Sequence, residues 1–341
     1  MPIPPLDEHA MREAKARQAR LTKPTGSLGR LEDLSIRLAG MTGTLDPPLA
    51  NAVIFTLAAD HGVSAEGVSA YPREVTAQMV LNFLRGGAAI NVLAREVGAR
   101  VVVADIGVDA DLPADPELRA VRVGRGTASI TKGPAMSLAE AQQAIEAGRQ
   151  LVRTEHVDIA LTGDMGIGNT TASAAVVCAL TGLDAAVIVG RGTGVDDAGL
   201  RRKQDAVSHA LEVNAAELRQ GPVHVLAAVG GLEIAGLAGV VLEAAEQRKP
   251  VLIDGFISGA AALVASAIDP MVIGYLIASH RSQELGHRVV LERLGLQPLL
   301  DLDLRLGEGT GAALALPIVR ASVRLLNDMA TFDEAGVSDR A

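Results

Sequence analysis

Tryptophan is absent from this chain of 341 residues, and aromatic side chains make up only 2% of it. Hydrophobic residues nevertheless account for 49%, so the core must be built mainly from alanine, valine, leucine and isoleucine. Such a core is typical of closely packed helices and of buried parallel strands. The length is sufficient for one large domain or for two ordinary ones.

Cysteine is nearly as scarce, because Cys178 is the only one in the chain. A disulfide within the chain is therefore excluded, and the apolar stretch 174–180 around Cys178 predicts a buried, inert thiol. The N-terminus has neither the basic region nor the apolar region of a secretory signal. The most apolar region, 251–279, is interrupted by Asp254 and Asp269, which argues against a membrane span. We therefore expect a cytoplasmic protein with no membrane partner.

Positive charge is also limited, since 31 lysines and arginines stand against 40 acidic residues and the formal net charge is -9. The chain lacks the basic clusters that release counterions from a phosphate backbone, so we expect no nucleic-acid partner. An anionic substrate must then be attracted by local groups.

Glycine, by contrast, is abundant, with 36 residues that cluster in turns after apolar runs. This distribution favours an α/β enzyme over a disordered or fibrous chain. Apolar runs alternate with helical periodicity, which predicts βαβ units and a mainly parallel, Rossmann-like sheet flanked by helices. The predicted strands are 51–59, 100–105, 157–161, 251–254 and 271–277, and the predicted helices are 72–97, 137–154, 170–180 and 258–267.

Both ends of the chain have a purely helical pattern. We expect residues 1–45 and 286–341 to pack together as a smaller helical lobe, and 46–285 to form the large α/β domain. In parallel sheets of this kind, ligands bind at the carboxyl ends of the strands. The glycine-rich turns that follow the predicted strands lie at that edge.

One glycine-rich turn, 163–171, follows a predicted strand directly and leads into a helix. Asn169, Thr170 and Thr171 are good capping residues, and the free N–H groups and dipole of a helix N-terminus favour a phosphate. The turn is not a P-loop, because no Gly-Lys-Ser/Thr follows, and it lacks the dinucleotide spacing. It is either a nucleotide cradle of another type or a plain strand-to-helix turn.

A second glycine-rich loop, 190–197, is followed one helical stretch later by Lys203. A lysine is a movable point charge that can reach a phosphate from some distance. The alternative is that Arg201, Arg202 and Lys203 form a solvated helix face.

Glu308 is the only acidic residue in a third glycine-dense turn, 306–311. Glycine neighbours have no Cβ to block a ligand, and they allow unusual backbone angles. A catalytic base can be presented in this way. The alternative is a helix-capping turn whose carboxylate points to water.

His61 and His280 each follow a predicted strand, which raises the hypothesis of a metal site. No i,i+4 histidine pair, His-Glu-x-x-His motif or cysteine ligand supports it, so we expect no metal. We interpret both histidines as hydrogen-bonded structural residues. Ser282 lacks the Gly-x-Ser-x-Gly elbow, which argues against a serine hydrolase.

Six motifs occur together and in order along the chain. They are Lys-Pro-Thr-Gly-Ser-Leu-Gly at 23–29, Ala-Asp-His-Gly-Val at 59–63, Val-Ser-Ala-Tyr-Pro at 68–72, Gly-Ile-Gly-Asn-Thr-Thr at 166–171, Gly-Thr-Gly at 192–194 and Arg-Leu-Gly-Glu-Gly at 305–309. With these motifs the chain, from Lys23 to Pro317, closely resembles the nicotinate-nucleotide:dimethylbenzimidazole phosphoribosyltransferase family of cobalamin biosynthesis.

The resemblance implies transfer of the 5-phosphoribosyl group of nicotinate mononucleotide to 5,6-dimethylbenzimidazole, giving α-ribazole 5′-phosphate and nicotinate. Benzimidazole must lose its ring N–H proton as its other nitrogen attacks C1′, so a positioned general base is needed. Nicotinate is already a pyridinium leaving group, so it departs without a metal or cofactor. A single displacement inverts C1′ and converts the β substrate into the α product.

The resemblance also implies roles for individual residues. Glu308 matches the family's catalytic carboxylate. The residues that match the phosphate-binding and nucleotide-binding elements are Lys203, Gly166, Gly168, Asn169, Thr170, Gly192, Thr193, Gly194 and Ser282. The region lining the base pocket contains Ser69, Tyr71 and Gln78, and an apolar slot is supplied by Met165 and Leu306. One departure is visible, because we expect glutamate before Met-Gly-Ile-Gly and this chain has Asp164, the candidate for a second carboxylate.

Burial against the base pocket is expected to raise the pKa of Glu308, and a nearby helix N-terminus is expected to lower it. The sequence leaves this balance open. The resemblance also suggests a homodimer. The alternatives are a phosphoribosyltransferase for another base and a non-catalytic nucleotide-binding regulator, which has no need of a caged Glu308.

Overall fold

A computed structural model describes residues 2–192 and 194–338 of the chain. The strands in these ranges are β1 (Ala52–Ala59), β2 (Arg100–Gly107), β3 (Leu118–Ala120), β4 (Ile159–Met165), β5 (Val251–Ile253) and β6 (Leu276–Ala278). They form one sheet in the order β3-β2-β1-β4-β5-β6, and every neighbouring pair is parallel. All eight residues of β1 are buried, as expected for a strand covered on both faces.

Helices flank the sheet on both faces. Leu57 of β1 packs onto Gly236, and Ile54 packs onto Gly309, so two helical segments cover side chains that point in opposite directions. The helices are α1 (Glu8–Gln18), α2 (Arg30–Thr42), α3 (Val75–Leu84), α4 (Ala89–Val97), α5 (Leu138–Thr154), α6 (Asn169–Thr181), α7 (Ala185–Ile188), α8 (Asp197–Val213), α9 (Pro222–Val229), α10 (Leu232–Glu246), α11 (Phe256–Ile268), α12 (Leu285–Leu294), α13 (Thr310–Asp328) and α14 (Phe332–Ala335).

The predicted α/β class with a mainly parallel sheet is confirmed. The strands expected at 51–59, 100–105 and 251–254 correspond to β1, β2 and β5. The helices expected at 137–154, 170–180 and 258–267 correspond to α5, α6 and α11. Continuous apolar runs identified these strands because both of their faces are buried.

Three predicted elements were wrong in their extent. The helix expected at 72–97 is two helices, α3 and α4, because the chain turns at Gly86, whose φ is +74°. Most of the strand expected at 271–277 is a 3-10 helix, Pro270–Tyr275, whose start is capped by Asp269. The strand expected at 157–161 begins later and extends to Met165, so the glycine turn proper begins at Gly166.

Helices α5 and α10 cross at unusually small residues. A Cβ at Gly148 would lie 1.8 Å from the carbonyl oxygen of Gly236, and one at Gly239 would lie 1.9 Å from the carbonyl oxygen of Ile145. The two backbones are therefore in direct contact, and only glycine permits this distance. The crossing fixes α10, which packs against β1, β2 and β4.

We expect Gly148→Ala to lower the free energy of unfolding by about 3 kcal/mol, because the added methyl group must displace backbone and not a flexible side chain. Denaturation in urea measures the change. Gly124→Ala is the control, since a Cβ there would have no neighbour closer than 3.6 Å. Equal stability of the two variants would contradict the close approach of α5 and α10.

The two ends of the chain meet in the structure. Helix α1 packs on α2, and α13 packs on α2 and also on β4 and β5. The side chain of Arg17 donates hydrogen bonds to the carbonyl oxygens of Leu326, at 2.7 Å, and Asn327, at 2.9 Å. None of the helices in the described ranges combines the length and the apolar character needed to span a membrane.

Candidate active site

A cavity of about 270 Å³ opens at the carboxyl ends of β4, β5 and β6. Its walls are the segments that follow these three strands and the turn that precedes α13. This is the edge of the sheet at which the glycine-rich turns predicted a ligand site. The lining residues are Tyr71, Asp164, Met165, Gly166, Ile167, Asn169, Thr170, Gly192, Gly255, Phe256, Ile257, His280, Ser282, Glu284, Arg305, Leu306 and Gly307.

The turn after β4 brings a helix N-terminus to this cavity. A Cβ at Gly166 would lie 2.4 Å from the carbonyl oxygen of Ala59, so the close approach requires glycine. Gly168 has a φ of +99°, and α6 begins at the next residue, Asn169. Asn169 and Thr170 line the cavity, so the positive end of the α6 dipole lies beside it.

The side chain of Lys203 ends at the same place. It is only 1% exposed, and its ammonium group donates a hydrogen bond to Thr170 Oγ1 at 3.0 Å. Arg201 and Arg202 are exposed, as expected for a solvated helix face. For Lys203 that interpretation is wrong, because its side chain is buried. Burial lowers the pKa of Lys203 to about 8, while the charge of Glu284 favours the protonated form. A buried cation beside a helix N-terminus is suited to bind an anion.

Gly192, in the second glycine-rich loop, lies next to this cation. A Cβ at Gly192 would lie 2.7 Å from Lys203 Nζ, and the Gly192 carbonyl oxygen accepts a hydrogen bond from Arg305 at 3.0 Å. Gly192 lines the main cavity, whereas Gly194 lines a neighbouring one of about 370 Å³. Thr193, which the sequence also assigns to the nucleotide site, lies outside the described residues.

Glu308 occupies a strained position directly behind the cavity wall. Its φ is +64°, a value that residues with a side chain rarely adopt, and its side chain is only 6% exposed. Glu308 Oε2 accepts a hydrogen bond from the backbone N–H of Ile90, at 3.3 Å, in the first turn of α4. Burial raises the pKa of Glu308, and the Ile90 N–H opposes this shift. The sequence left open whether burial or a helix N-terminus determines the pKa of Glu308. In the structure burial is the larger effect, and the pKa is raised.

Asp164 lines the cavity beside this turn. Its Oδ2 accepts a hydrogen bond from the Asn169 side chain at 2.9 Å, and its Oδ1 has no partner among the described residues. Burial raises its pKa well above the usual range, and the negative charges of Asp254 and Glu233 add to this effect. Asp164 is thus a carboxyl group whose neutral form is favoured.

Three histidines near the site, His61, His280 and His287, are buried. Burial lowers the pKa of His280 to about 4 and that of His287 to about 3. His287 Nδ1 accepts a hydrogen bond from the Ser282 N–H at 3.0 Å, which orients Ser282 at the cavity wall. His61 Nε2 lies 2.7 Å from the buried Glu233 carboxylate. No group of three or more histidine, cysteine, aspartate or glutamate side chains in the described ranges is arranged to hold a metal ion.

The five residues expected around the base pocket are divided between the cavity and its surroundings. Tyr71, Met165 and Leu306 line the cavity, and Leu306 is 59% exposed. Ser69 accepts a hydrogen bond from the Tyr71 N–H at 3.2 Å, and Gln78 is an exposed residue of α3. Neither Ser69 nor Gln78 lines the cavity.

Comparison with known proteins agrees with this geometry. The model of the phosphoribosyltransferase family matches residues 3–337. The chain belongs to this family.

Relatives and solved structures of this phosphoribosyltransferase cover nearly its whole length. The relative from Chloroflexus aggregans is 58% identical over 341 residues, which are 99% of this chain and 96% of the relative. The relative from Geobacter metallireducens is 53% identical over 338 residues, which are 98% of this chain and 96% of the relative. Both are named nicotinate-nucleotide–dimethylbenzimidazole phosphoribosyltransferase. A crystal structure under the same name, from Thermus thermophilus, is 50% identical, has a TM-score of 0.93 and covers 98% of this chain and 100% of its own.

The sequence reasoning missed one residue that holds the phosphoribosyltransferase site together, Asp254. It follows β5 and is completely buried. Its carboxylate accepts hydrogen bonds from the backbone N–H groups of Gly309 at 3.2 Å, Gly311 at 2.7 Å and Ala312 at 3.1 Å. It thereby caps α13 and fixes the turn that carries Glu308. Burial raises its pKa to about 7 although these hydrogen bonds oppose the shift.

We expect Asp254→Asn to lower the free energy of unfolding by about 2 kcal/mol, because an amide offers one acceptor oxygen where three N–H groups need partners. The turnover rate is expected to fall about tenfold at an unchanged KM, since the Glu308 turn loses its support. Urea denaturation and steady-state kinetics measure the two effects. Asp269→Asn is the control, because Asp269 caps a partly exposed 3-10 helix and does not line the cavity. An unchanged turnover rate in Asp254→Asn would contradict the positioning role.

Proposed function

We propose that this phosphoribosyltransferase transfers the 5-phosphoribosyl group of nicotinate mononucleotide to 5,6-dimethylbenzimidazole and forms α-ribazole 5′-phosphate and nicotinate. One observation carries the proposal: Asp164 lines the cavity, the buried ammonium group of Lys203 is hydrogen-bonded to Thr170 in its wall, and Glu308 directly follows the lining residue Gly307. These are an anion site and a candidate proton acceptor, as base exchange on a nucleotide requires. The names of the relatives support this choice of substrates.

We assign the 5′-phosphate to the space between Lys203 and the turn 166–170. Lys203 supplies the charge, and the α6 N-terminus supplies the backbone donors and the positive dipole end. Phosphate binding next to Lys203 would stabilise its protonated form and so recover the pKa lost to burial. Gly192 and Ser282 close this part of the cavity.

We assign the role of general base to Glu308. One benzimidazole nitrogen attacks C1′ as the bond from C1′ to the nicotinate nitrogen breaks, and that electron pair neutralises the pyridinium ring. The proton on the other benzimidazole nitrogen passes to the Glu308 carboxylate. Ile90 holds Oε2, whereas Oε1 has no hydrogen-bond partner among the described residues and is the oxygen we assign to this proton. A raised pKa makes Glu308 a stronger base than an exposed glutamate.

Asp164 is assigned a different role from Glu308. Burial and the neighbouring negative charges raise the pKa of Asp164, so we assign it the neutral form, in which it can donate a hydrogen bond toward the substrate. The shorter aspartate at this position is compatible with such a role, since Asn169 already orients it.

The acceptor base is assigned to the apolar mouth of the cavity. Tyr71 and Leu306 are exposed there although they are large and hydrophobic, and Met165 lies beside them. A flat, dimethylated bicyclic base would cover this surface and gain free energy from the apolar area removed from water. Ser69 and Gln78 do not line the cavity, and we propose only that they lie near the bound base, on the segment 68–72 and on α3.

The proposal is tested by incubating the purified protein with nicotinate mononucleotide, with and without 5,6-dimethylbenzimidazole, and analysing the products by chromatography and mass spectrometry. We expect nicotinate release that depends on the base and is matched by an equal amount of α-ribazole phosphate. Release with a different acceptor only would identify a phosphoribosyltransferase for another base. Binding of the mononucleotide without any turnover would identify a non-catalytic regulator and overturn the proposal.

Three further properties belong to the same proposal. We propose a homodimer, a cytoplasmic location, and a division into an α/β domain, 46–285, and a helical lobe formed by 1–45 and 286–341. The packing of α1 and α13 on α2 supports the lobe. Analytical ultracentrifugation tests the dimer, since a sedimentation mass equal to one chain would contradict it.

A further inference from the structure

Glu284 is a buried carboxylate in the main cavity for which the assignments above give no role. It is 7% exposed, and it lines both the main cavity and the neighbouring one. It stands at the position before α12, but its side chain makes no capping hydrogen bond to that helix. Its Oε2 is buried and has no hydrogen-bond partner among the described residues. A buried carboxylate oxygen without a partner is costly, so its presence calls for a ligand.

The backbone around Glu284 is shaped to admit this carboxylate. A Cβ at Gly190 would lie 2.3 Å from Glu284 Oε2, so a side chain at that position would occupy the same space. The N–H of Glu284 donates a hydrogen bond to Ser282 Oγ at 3.3 Å, which links the residue to the cavity wall. The glycine at 190 therefore leaves room for the carboxylate, and Ser282 fixes the backbone of Glu284 at the cavity wall.

Lys203 is a buried cation with which Glu284 interacts electrostatically. The ammonium group of Lys203 donates its hydrogen bond to Thr170 instead, and among the described residues the two charged groups do not come within 4.0 Å of each other. Glu284 lines the cavity, and Lys203 is hydrogen-bonded to Thr170 in the wall of the same cavity, so the two opposite charges lie near one space without forming an ion pair. A substrate with an anionic end and hydrogen-bond donors next to it matches such a pair.

A ribose 5-phosphate has this pattern. Its phosphate is an anion for Lys203, and its 2′ and 3′ hydroxyls are donors that an acceptor-only carboxylate can bind. The phosphate itself cannot be the ligand of Glu284, because two negative groups would repel each other. We propose that Glu284 accepts a hydrogen bond from a ribose hydroxyl of the mononucleotide and makes the site specific for ribosyl over deoxyribosyl substrates. This inference rests on the proposed function for the identity of the substrate.

The first test uses the unmodified protein and needs no turnover. Calorimetry compares the affinity for nicotinate mononucleotide with that for its 2′-deoxy and 3′-deoxy analogues, without an acceptor base. We expect at least one analogue to bind about 10- to 100-fold more weakly, because the carboxylate is then left without its donor. Equal affinity for all three ligands would overturn the proposal.

The second test uses Glu284→Gln, with Glu292→Gln as the matched control on the exposed face of α12. We expect the Glu284 variant to bind the ribosyl ligand about 10-fold more weakly and to lose the discrimination against the deoxy analogue, since an amide oxygen is a weaker acceptor than a carboxylate. A residue that only supports Lys203 would weaken all three ligands equally, and this result would overturn the proposal. So would retention of the full discrimination.

These outcomes are independent of the proposed transfer reaction. If the protein binds the mononucleotide but releases no nicotinate, the proposed function fails, and the ratio of affinities still measures the role of Glu284. If nicotinate is released and the ratio is close to one, the transfer reaction stands and the inference about Glu284 fails. In either case, Glu292→Gln is expected to show the same ratio of affinities for the ribosyl and deoxyribosyl ligands as the unmodified protein.

Discussion

Replacing Glu308 by glutamine is expected to lower the turnover rate for base-dependent nicotinate release by about 10²- to 10⁴-fold, the range of general base catalysis. The affinity for nicotinate mononucleotide is expected to stay within about twofold, because the phosphate is held at the Lys203 end of the site. The amide is nearly the same size as the carboxylate and keeps an oxygen for the Ile90 N–H. Single-turnover kinetics and calorimetry with the variant measure the two quantities.

Asp164→Asn is the matched comparison for Glu308→Gln, because both carboxyl groups are buried beside the same turn and have raised pKa values. The neutral form of Asp164 is favoured already, so an amide resembles it, and we expect a rate loss of less than about tenfold. The opposite pattern, with Asp164→Asn inactive and Glu308→Gln active, would move the role of base to Asp164.

The pH dependence separates the two carboxyl groups as well. A general base must be deprotonated, so the turnover rate falls as the pH drops through the pKa of Glu308. Burial raises this pKa above that of an exposed glutamate, and the acid limb of the profile is therefore expected at a higher pH than for an exposed glutamate. Residual turnover by Glu308→Gln is expected to lack that limb. A limb that persists unchanged in the variant belongs to another group.

The wrong prediction of a single helix at 72–97 is the reason why one contact of Glu308 was not predicted from the sequence. Helical periodicity continues on both sides of Gly86, and the prediction placed Gly86 and Gly87 inside one helix although a Gly-Gly pair is typical of a turn. The break creates a second helix N-terminus at Ala89, and the N–H of Ile90 from that terminus is the hydrogen-bond donor to Glu308. A local sequence pattern does not show which distant carboxylate will accept hydrogen bonds from a helix N-terminus.

The strand ends and the glycine turns were predicted because their signals are local. Apolar runs that end in glycine-rich turns marked the edge of the sheet, and the cavity lies there. Asp254 and Glu284 gave no local signal of function, since along the sequence Asp254 only interrupts an apolar region. Their importance lies in contacts with residues far along the chain, Gly311 for Asp254 and Gly190 for Glu284.

The buried Lys203 gives the second large effect. We expect Lys203→Met to raise the KM for nicotinate mononucleotide about 10- to 150-fold, because a charged hydrogen bond to the phosphate is lost. Methionine is similar in length and has no charge, so the fold no longer has to bury an ammonium group. The stability of the variant is therefore expected to equal or exceed that of the unmodified protein. Weaker binding in a variant of undiminished stability would show that Lys203 has a functional role and not only a structural one. Steady-state kinetics measures the KM, and thermal denaturation measures the stability.

The titration of Lys203 provides an independent signature of the same role. Its pKa is lowered to about 8 by burial, so kcat/KM is expected to fall as the pH rises through that value and the ammonium group of the free enzyme loses its proton. Lys203→Met is expected to show low kcat/KM with no such alkaline limb. Arg201→Met, which removes an exposed charge from the same helix, is expected to keep both the KM and the limb. If Lys203→Met binds the mononucleotide with normal affinity, the Lys203 charge does not bind the phosphate. The phosphate site would then lie elsewhere in the cavity.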